Sequence, residues 1–388
     1  MTLQFLKYLK VGLDQELIKI YIMNLRTKGK SANIDKIFIG KVDSKDSSGD
    51  FVRVTSTEGD SIFLCKDYNE SLGKQVFNIK NLEDFNVEDV ISANEVGGIN
   101  ILYRKNSFHN TLLFTERCNS NCLMCSQPPK DKDDTQSWFY IHSKTIPLIA
   151  KDCFELGISG GEPTILGDNF YNLVQQVTDE LPDTSVHILT NGRNFAKDHL
   201  AERLGNIGNS NMMLGIPLYS DFYQQHDYIV QAKNAFYQTI LGLHNLNRYN
   251  VRLEIRIVLH KQTIGRLKNL SEYIYKNLPF VEHVTFMGLE YVGYTPHNID
   301  KLWIDPYSYK DQLEESVMYL TDRGMRVSIY NTQLCLLNET SWEFAKKSIS
   351  DWKNEYLEEC NLCTKKDECA GFFRWNLKLN SEHINPIL

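Results

Sequence analysis

The strongest constraint in this sequence is a group of three closely spaced cysteines in the pattern C-x3-C-x2-C. Cys118, Cys122 and Cys125 follow shortly after the apolar, strand-like segment 112–114. Three thiolates at this spacing bind one corner of a cubane iron-sulfur cluster, whereas an electron carrier normally closes all four corners with protein thiolates. The pattern therefore predicts a [4Fe–4S] cluster with one open iron, at which a small ligand binds.

Two other uses of these cysteines compete with a cluster. A structural zinc site needs four protein ligands, and the residues near Cys118 supply no obvious fourth one. A disulfide framework is another use of cysteines, but the total of 9 is odd, and no amino-terminal signal stretch marks the chain for export. A second motif favours the open cluster.

That second motif consists of Gly160, Gly161, Glu162 and Pro163, after the strand-like segment 154–159. Two glycines leave the backbone uncovered, so carbonyl groups can approach an ammonium group closely, and proline fixes the chain that leaves the strand. Together, the two motifs resemble the radical S-adenosylmethionine (SAM) enzymes over about residues 110–290. The resemblance implies that the open iron binds the amino acid end of SAM, while the backbone of the glycine motif holds its amino group.

Three further contacts with SAM are implied by the resemblance. Asn191 follows the third predicted strand and Ser220 follows the fourth, where the family handles the ribose or the carboxylate of SAM. Ordinary turn residues are the alternative at both positions. Met124 stands where the family commonly has an aromatic residue near the adenine, and a polarisable methionine can also lie against a ring.

The fifth predicted strand alternates between an apolar face and a largely charged face. Leu253, Ile255, Ile257 and Leu259 are expected to face the covering helices, and Arg252, Glu254, Arg256 and Val258 the interior of a barrel. Charged side chains in such an interior need a partner or a ligand. Arg256 is predicted to bind the SAM carboxylate through a two-pronged contact, and an ion pair with Glu254 is the competing explanation.

Composition sets the outer limits. A chain of 388 residues is expected to form two or three units, and 42% hydrophobic and 23% charged residues are typical of a soluble globular protein. The net charge of −7 argues against a general nucleic-acid-binding surface. Apolar runs stay well short of the roughly 20 residues of a membrane span, so we expect a protein of the reducing cytoplasm.

The chain divides into three predicted regions. Residues 1–105 are expected to form a small, mostly β domain, which either docks a protein substrate by offering a strand edge or caps the catalytic domain. Its predicted strands are 17–22, 36–39, 51–54 and 62–64. Residues 106–300 alternate between strands and helices, which predicts an α/β fold with a parallel sheet. Six such strands, ending with 284–289, form a partial (β/α)6 barrel of the kind that the resemblance implies.

Within this barrel the sequence predicts helices over 142–151, 168–181, 195–205, 226–248 and 265–277. The strands between them are predicted over 154–159, 186–190, 212–218 and 251–259. Cys65 and Cys153, beside apolar runs, are expected to be buried. No side chain in the chain is singled out as a catalytic residue.

Residues 301–388 are expected to lie outside the barrel, with a helix over 305–323 and a strand over 326–330. Cys335, Cys360, Cys363 and Cys369 then offer four thiolates, enough to close a second cluster or to complete a zinc site. The C-x2-C-x5-C spacing resembles the auxiliary-cluster domains, of the SPASM or twitch type, in radical SAM peptide maturases. This resemblance implies one auxiliary [4Fe–4S] cluster.

A narrower resemblance concerns residues 100–130. The segments 102–104 and 109–110, the run 115–120 and the run 122–129 look like the C-type radical SAM maturases of His-Xaa-Ser peptide-modification systems. The implied partners are a ribosomally made precursor peptide, an electron donor such as flavodoxin or ferredoxin, and a second radical SAM maturase. A radical SAM enzyme acting on a nucleotide or small metabolite, and a non-enzymatic iron-sulfur or zinc protein, are the alternatives.

Overall fold

The computed structural model describes residues 25–347 and 355–388, so the predicted strand 17–22 lies outside the described residues. Two eight-stranded sheets organise the chain. The amino-terminal sheet comprises β1 (Arg26–Lys28), β2 (Lys30–Ala32), β3 (Phe38–Lys45), β4 (Phe51–Thr55), β5 (Ser61–Cys65), β6 (Gln75–Phe77), β7 (Val90–Ala93) and β8 (Gly98–Tyr103). Three of the predicted strands are present here, and the others escaped prediction because most are only three or four residues long.

The amino-terminal sheet closes on itself. The strand order is β1-β8-β7-β3-β4-β5-β6-β2. Its two end strands, β1 and β2, pair with β8 and with β6. Because β1 and β2 follow each other in the sequence, one continuous segment forms both ends of the sheet. Gly29 lies at the corner between β1 and β2. A Cβ atom there would lie 2.2 Å from the carbonyl oxygen of Phe77, so the corner admits only glycine without a backbone shift.

The two end strands of this sheet bear on the docking expectation. β1 pairs with β8 and β2 pairs with β6, and neither has a second partner among the described strands. The expectation that this domain docks a protein substrate by offering a strand edge stays a prediction, and so does the alternative that it caps the catalytic domain.

The second sheet is entirely parallel and follows chain order. Its strands are β9 (His109–Leu113), β10 (Glu155–Ser159), β11 (Ser185–Leu189), β12 (Met212–Pro217), β13 (Arg252–Leu259), β14 (His283–Gly288), β15 (Arg326–Tyr330) and β16 (Ala345–Lys346). This curled parallel sheet is a partial (β/α) barrel, which confirms the predicted α/β fold class. Consecutive parallel strands need crossover connections, and helices supply most of them.

The described residues contain nine α-helices. They are α1 (Thr135–Thr145), α2 (Asp168–Glu180), α3 (Asp198–Gly205), α4 (Tyr223–Val230), α5 (Ala235–Arg248), α6 (Lys261–Ile264), α7 (Leu267–Asn277), α8 (Ile299–Leu302) and α9 (Lys310–Thr321). No helix among these is long and apolar enough to cross a membrane.

Two helices differ from their predictions. The predicted helix 226–248 is broken into α4 and α5, because Gln231 and Asn234 adopt left-handed backbone conformations. Asp227 stabilises the break by accepting hydrogen bonds from the backbone N–H groups of Asn234 and Phe236, at 2.6 and 2.8 Å. The helix predicted over 142–151 begins earlier and ends sooner, since Pro147 interrupts the helical hydrogen bonding.

The parallel sheet also extends beyond residue 300. β15 pairs with β14 from His283 and Arg326 to Met287 and Tyr330, and β16 adds two residues. The sequence analysis placed the strand 326–330 in a separate carboxyl-terminal region. The structure corrects that placement, because α9 is followed by a strand that continues the same parallel register.

The two β regions share one apolar core. Ile39, Val90 and Tyr103 of the closed barrel belong to the main core, which otherwise lies between the parallel sheet and its helices. Cys153 is buried in this core, as expected, and Cys65 is buried in the first barrel. The closed barrel is thereby held against the amino-terminal side of the parallel sheet.

Candidate active site

The segment 114–125 carries Cys118, Cys122 and Cys125 and is called the cysteine loop. It begins where β9 ends, and backbone hydrogen bonds join it to the end of β10. Phe114 donates to the carbonyl of Ser159 at 2.8 Å. The N–H groups of Gly161 and Glu162 donate to the carbonyls of Thr115 and Arg117, each at 2.8 Å. The two sequence motifs are thus adjacent, and this pairing continues the sheet contact beyond the strands.

The close approach explains both glycines. A Cβ atom on Gly161 would lie 2.0 Å from the carbonyl oxygen of Arg117, and one on Gly160 would lie 2.5 Å from that of Thr115. Because real Cβ contacts are much longer, any side chain at either position would push the cysteine loop away. The glycines therefore let the cysteine loop reach its position, in addition to leaving their own carbonyl groups uncovered.

The side chain of Glu162 is fully buried between two strand ends. One carboxylate oxygen accepts hydrogen bonds from the hydroxyls of Thr164 and Thr190, at 2.6 and 2.7 Å. The other accepts from the N–H of Asn191 at 2.7 Å. Burial raises the pKa of Glu162 above its ordinary value. The side chain of Glu162 therefore joins the ends of β10 and β11.

The three thiols of the cysteine loop lie close enough to influence one another. Burial raises the pKa of Cys118 to about 12 and that of Cys125 to about 11. The pKa of Cys122 is raised well above its usual range, mainly by burial and to a smaller extent by the charges of Cys125 and Cys118. The N–H of Ser120 donates to the sulfur of Cys118 at 3.4 Å, a contact that suits a thiolate ligand of a cluster.

The end of α4 holds the middle of the cysteine loop. Asn121 donates from its backbone to the carbonyl of Val230 at 3.0 Å, and Leu123 donates to that of Ile229 at 2.9 Å. These are carbonyls of the last turn of a helix, which lack partners within the helix. The N–H groups of the loop thus supply hydrogen-bond partners for the last carbonyls of the helix, and the same hydrogen bonds fix the position of the loop.

The segment after β14 holds the other end of the loop. Tyr294 donates to the carbonyl of Cys125 at 2.9 Å, and the side chain of Asn298 donates to that of Leu123 at 2.9 Å. Gly293 has a positive φ of 64°, and a Cβ atom there would lie 2.1 Å from the Cys125 carbonyl oxygen. Residues far apart in the sequence therefore fix the loop from both sides.

Met124 lies in a small apolar cluster below the cysteine loop. Its neighbours in the cluster include Leu123, Tyr219, Ile229 and Leu302. Tyr219 is buried beside the thiols. Its pKa is raised well above the usual range, mainly by burial and to a smaller extent by the charges of Cys122 and Cys125. No role was predicted for Tyr219, although its place directly before Ser220 at the end of the fourth predicted strand was a usable signal.

Asn191 and Ser220 occupy different surroundings. The side-chain amide of Asn191 donates to the Oδ1 atom of Asn119 at 2.5 Å, which ties the end of β11 to the cysteine loop. Ser220 is fully buried, and its hydroxyl accepts from the N–H of Phe222 at 3.1 Å. The contact made by Ser220 is that of an ordinary turn residue.

The interior face of β13 carries a polar network, as the alternation of that strand predicted. Glu254 accepts from His283 at 3.0 Å and lies 3.3 Å from the Nη1 atom of Arg256. His283 also contacts the hydroxyl of Ser328 at 2.9 Å. The competing ion pair between Glu254 and Arg256 is therefore present. The Nε2 atom of His187 lies 3.8 Å from Glu254 Oε1, and neither atom has a hydrogen-bond partner among the described residues.

Residues 112–274 match the model of the Radical SAM superfamily. This part of the chain is therefore similar to a radical SAM domain. This superfamily implies SAM and a [4Fe–4S] cluster, and the three thiols of the cysteine loop, with an N–H group donating to one sulfur, fit the cluster. The match includes Cys118, Cys122 and Cys125 and the whole glycine motif. No curated protein matches the sequence.

Solved structures are similar to the chain at low identity. Streptococcus suis SuiB bound to precursor peptide SuiA is 15% identical with a TM-score of 0.45, over 59% of this chain and 49% of that one. The chain thus spans about half the length of SuiB. Native anSMEcpe with bound AdoMet and Cp18Cys peptide is 15% identical with a TM-score of 0.49, over 71% and 91%. Coproporphyrinogen III oxidase from Escherichia coli is 14% identical with a TM-score of 0.42, over 55% and 53%.

A second set of thiols lies beyond the radical SAM domain. Cys335, Cys360, Cys363 and Cys369 line one cavity, together with residues 384–387 near the carboxyl terminus. The N–H of Ile387 donates to the sulfur of Cys363 at 3.4 Å. All nine cysteines of the chain are free thiols. The four predicted carboxyl-terminal ligands are thus brought together, as are the three in the cysteine loop.

The pH dependence of stability provides a test of the packing around Tyr219. The Nδ1 atom of His226 accepts from the N–H of Tyr219 at 3.2 Å, so the ring has to stay neutral. Burial lowers the pKa of His226 to about 4. Since the unfolded value is about 6.5, the unfolded chain binds more protons below that pH. We expect the contribution of His226 to the free energy of unfolding to fall by about 2 kcal/mol from pH 7 to pH 5.

Urea unfolding at pH 7 and pH 5 measures this contribution. His226→Gln keeps a hydrogen-bond acceptor but does not titrate, so it should remove about that much of the pH dependence. His199→Gln is the matched control, because His199 is exposed. Equal pH dependence in wild type and His226→Gln would contradict a buried neutral His226.

Proposed function

We propose that this protein is a radical SAM enzyme that acts on a ribosomally made peptide or protein. When bound, the reduced cluster and SAM supply a 5′-deoxyadenosyl radical, which abstracts a hydrogen atom from the substrate. The observation that carries the proposal is the joining of the cysteine loop to the glycine motif through the N–H groups of Gly161 and Glu162. This joining puts the three thiols beside the strand end that is expected to hold SAM.

The residues of the radical SAM domain have separate proposed roles. Cys118, Cys122 and Cys125 hold the cluster, and the backbone of residues 160–163 holds the amino group of SAM. Met124 belongs to the apolar cluster that includes Tyr219, and its proposed role is to contact the adenine. Asn191 borders the same loop, whereas Ser220 supports the turn that carries Tyr219.

Arg256 is the proposed partner of the SAM carboxylate. Its Nη1 atom already lies 3.3 Å from Glu254, so the bound carboxylate would share the guanidinium group with a residue of the barrel interior. A guanidinium group has five N–H donors in a planar fork, which permits two acceptors at once. The ion pair with Glu254 would then orient Arg256 for SAM. An ion pair with Glu254 and a contact with the SAM carboxylate are therefore compatible roles for this arginine.

The interior network next to Arg256 is the proposed face for the substrate. Glu254 Oε1 lies 3.3 Å from Arg256 Nη1, whereas His187 Nε2 is a buried atom without a hydrogen-bond partner among the described residues. A buried polar atom is costly unless a polar group meets it. A polar group of the substrate, or water before it binds, satisfies His187 Nε2. Closing the barrel interior around the substrate would exclude competing hydrogen donors.

A peptide substrate is supported by the second thiol set. Cys335, Cys360, Cys363 and Cys369 have the spacing that resembles auxiliary-cluster domains of peptide maturases. The four thiols line one cavity, and a zinc site is the competing use for them. The resemblance in spacing is the reason to propose a second [4Fe–4S] cluster there.

The proposed setting follows from the chemistry. Each turnover needs an electron, which a flavodoxin or ferredoxin is proposed to deliver in the cytoplasm. The auxiliary cluster is proposed to relay an electron to or from the substrate. A second radical SAM maturase is a proposed partner on the basis of the resemblance over residues 100–130.

Iron content and SAM cleavage test this proposal in anaerobically reconstituted protein. We expect about eight irons per chain, falling by about four in Cys118→Ala and by about four in Cys360→Ala, because each substitution removes a cluster ligand. Release of 5′-deoxyadenosine with dithionite should be lost in Cys118→Ala and retained in Cys360→Ala. Iron, sulfide and zinc are measured in the same samples.

Cys65→Ala serves as the control, because this thiol is buried in the closed barrel away from both sets. It should keep wild-type iron content and SAM cleavage. About four irons with zinc bound at the carboxyl-terminal thiols would contradict the auxiliary cluster. Fully loaded protein that does not cleave SAM would contradict the enzymatic function and favour a binding protein.

The substrate class is tested by deuterium transfer. Precursor peptides encoded beside the gene are prepared with deuterium on carbon and incubated with loaded protein, SAM and dithionite. Deuterium is expected in 5′-deoxyadenosine, with loss of mass from the peptide. Transfer from none of these peptides, while a nucleotide or small metabolite gives transfer, would contradict the peptide substrate but leave the radical chemistry in place.

A further inference from the structure

Arg193 connects the end of β11 with the loop segment between the first two cysteines. Its Nη1 atom donates to the hydroxyl of Ser120 at 2.9 Å and to the carbonyl of Asn119. Its Nε atom donates to the side chain of Gln238 at 2.7 Å, which fixes the guanidinium group from α5. Arg193 is therefore held on one side by a helix and holds the cysteine loop on the other.

The hydrogen-bond partners of Arg193 leave its positive charge uncompensated. The groups that accept from it are a carbonyl, a hydroxyl and an amide, all of them neutral. Across residues 25–347 and 355–388, no carboxylate makes an ion pair with it. Most other arginines here do pair, such as Arg248 with Asp198 at 2.8 Å.

This charge lies beside the segment that joins two of the predicted ligands. Arg193 donates to Asn119 and Ser120, which stand between Cys118 and Cys122 in the sequence. Ser120, which accepts from Arg193, also donates its N–H to the sulfur of Cys118 at 3.4 Å. A single side chain thus positions the hydrogen-bond donor to one ligand and places a cation beside the segment between two of them.

We propose that Arg193 is a positioning residue that fixes the cysteine loop and raises the reduction potential of the cluster bound there. The proposal rests on the proposed function, since it concerns the cluster that Cys118, Cys122 and Cys125 hold. Nothing in the SAM-binding roles described above requires this residue. Its contribution is to the step that precedes SAM cleavage, the gain of one electron by the cluster.

The physical reason is electrostatic. Reduction adds one negative charge to the cluster, and the potentials of iron-sulfur clusters depend on net charge, hydrogen bonds to sulfur and exposure. A fixed cation in a partly buried site stabilises the added charge, because the effective dielectric constant there is below that of water. A neutral residue at position 193 should therefore make the cluster harder to reduce.

Two substitutions separate charge from hydrogen bonding. Arg193→Gln keeps a donor but removes the charge, and Arg193→Lys keeps the charge but removes the two-sided fork. Arg248→Gln is the matched control, because it removes an equal charge from an exposed ion pair on α5. Each variant is studied as full-length reconstituted protein without SAM.

The readout is a redox titration followed by electron paramagnetic resonance. The relevant signal is the one that is absent from Cys118→Ala. Arg193→Gln is expected to shift the ratio of reduced to oxidised cluster about tenfold toward the oxidised form at fixed potential, which is 59 mV for one electron. Arg193→Lys should stay within about twofold of wild type, and Arg248→Gln should match wild type.

The outcomes separate the inference from its premise. A wild-type potential in loaded Arg193→Gln overturns the inference, even if loading falls, because the inference requires a change in potential. If Arg193→Gln fails to load, Arg193→Lys decides: an unchanged potential supports the charge effect, and a tenfold shift overturns it. Wild-type protein without any Cys118-dependent signal overturns the proposed function as well.

Discussion

The structure of the site depends on the backbone contact between the cysteine loop and the end of β10. Gly161 and Glu162 donate to Thr115 and Arg117 at 2.8 Å, and a methyl group on Gly161 would lie 2.0 Å from the carbonyl oxygen of Arg117. This contact fixes where the loop leaves the sheet. The end of α4 and the segment after β14 then only need to hold the middle and the far end of the loop.

Burial and charge oppose each other around the three thiols. Burial raises the pKa of each, and the buried carboxylate of Glu162 adds to this effect at Cys118. Arg193 acts in the opposite direction, and a bound cluster would stabilise the thiolates far more strongly, since metal ligation deprotonates a coordinating thiol. Binding of a cluster would therefore offset the free energy that burial of the three thiolates costs.

The sequence predicted candidate ligands but not their surroundings. Cys118, Cys122 and Cys125 could be predicted as ligands because local spacing suffices for one loop, and the parallel sheet followed from long alternating segments. Tyr219 and Arg193 were missed, since their importance arises from contacts between residues distant in the sequence. Closure of the first barrel was missed for a similar reason: it depends on pairing between Arg26–Lys28 and Gly98–Tyr103.

The break between α4 and α5 shows a different limit. The apolar pattern continues across 226–248, so periodicity alone predicts one helix. Asp227 overrides the pattern by accepting from two backbone N–H groups beyond the break. The break matters for the candidate site, because the early end of α4 exposes the carbonyls of Ile229 and Val230 that hold the cysteine loop.

The central claim is that the cysteine loop holds a cluster with one open iron, and Mössbauer spectroscopy tests it most directly. Protein reconstituted with ⁵⁷Fe in a Cys360→Ala background carries only the cluster of the cysteine loop. The account predicts that SAM changes the spectrum of one iron in four, because three are held by cysteine. Four irons that all keep their spectra when SAM is added would contradict it.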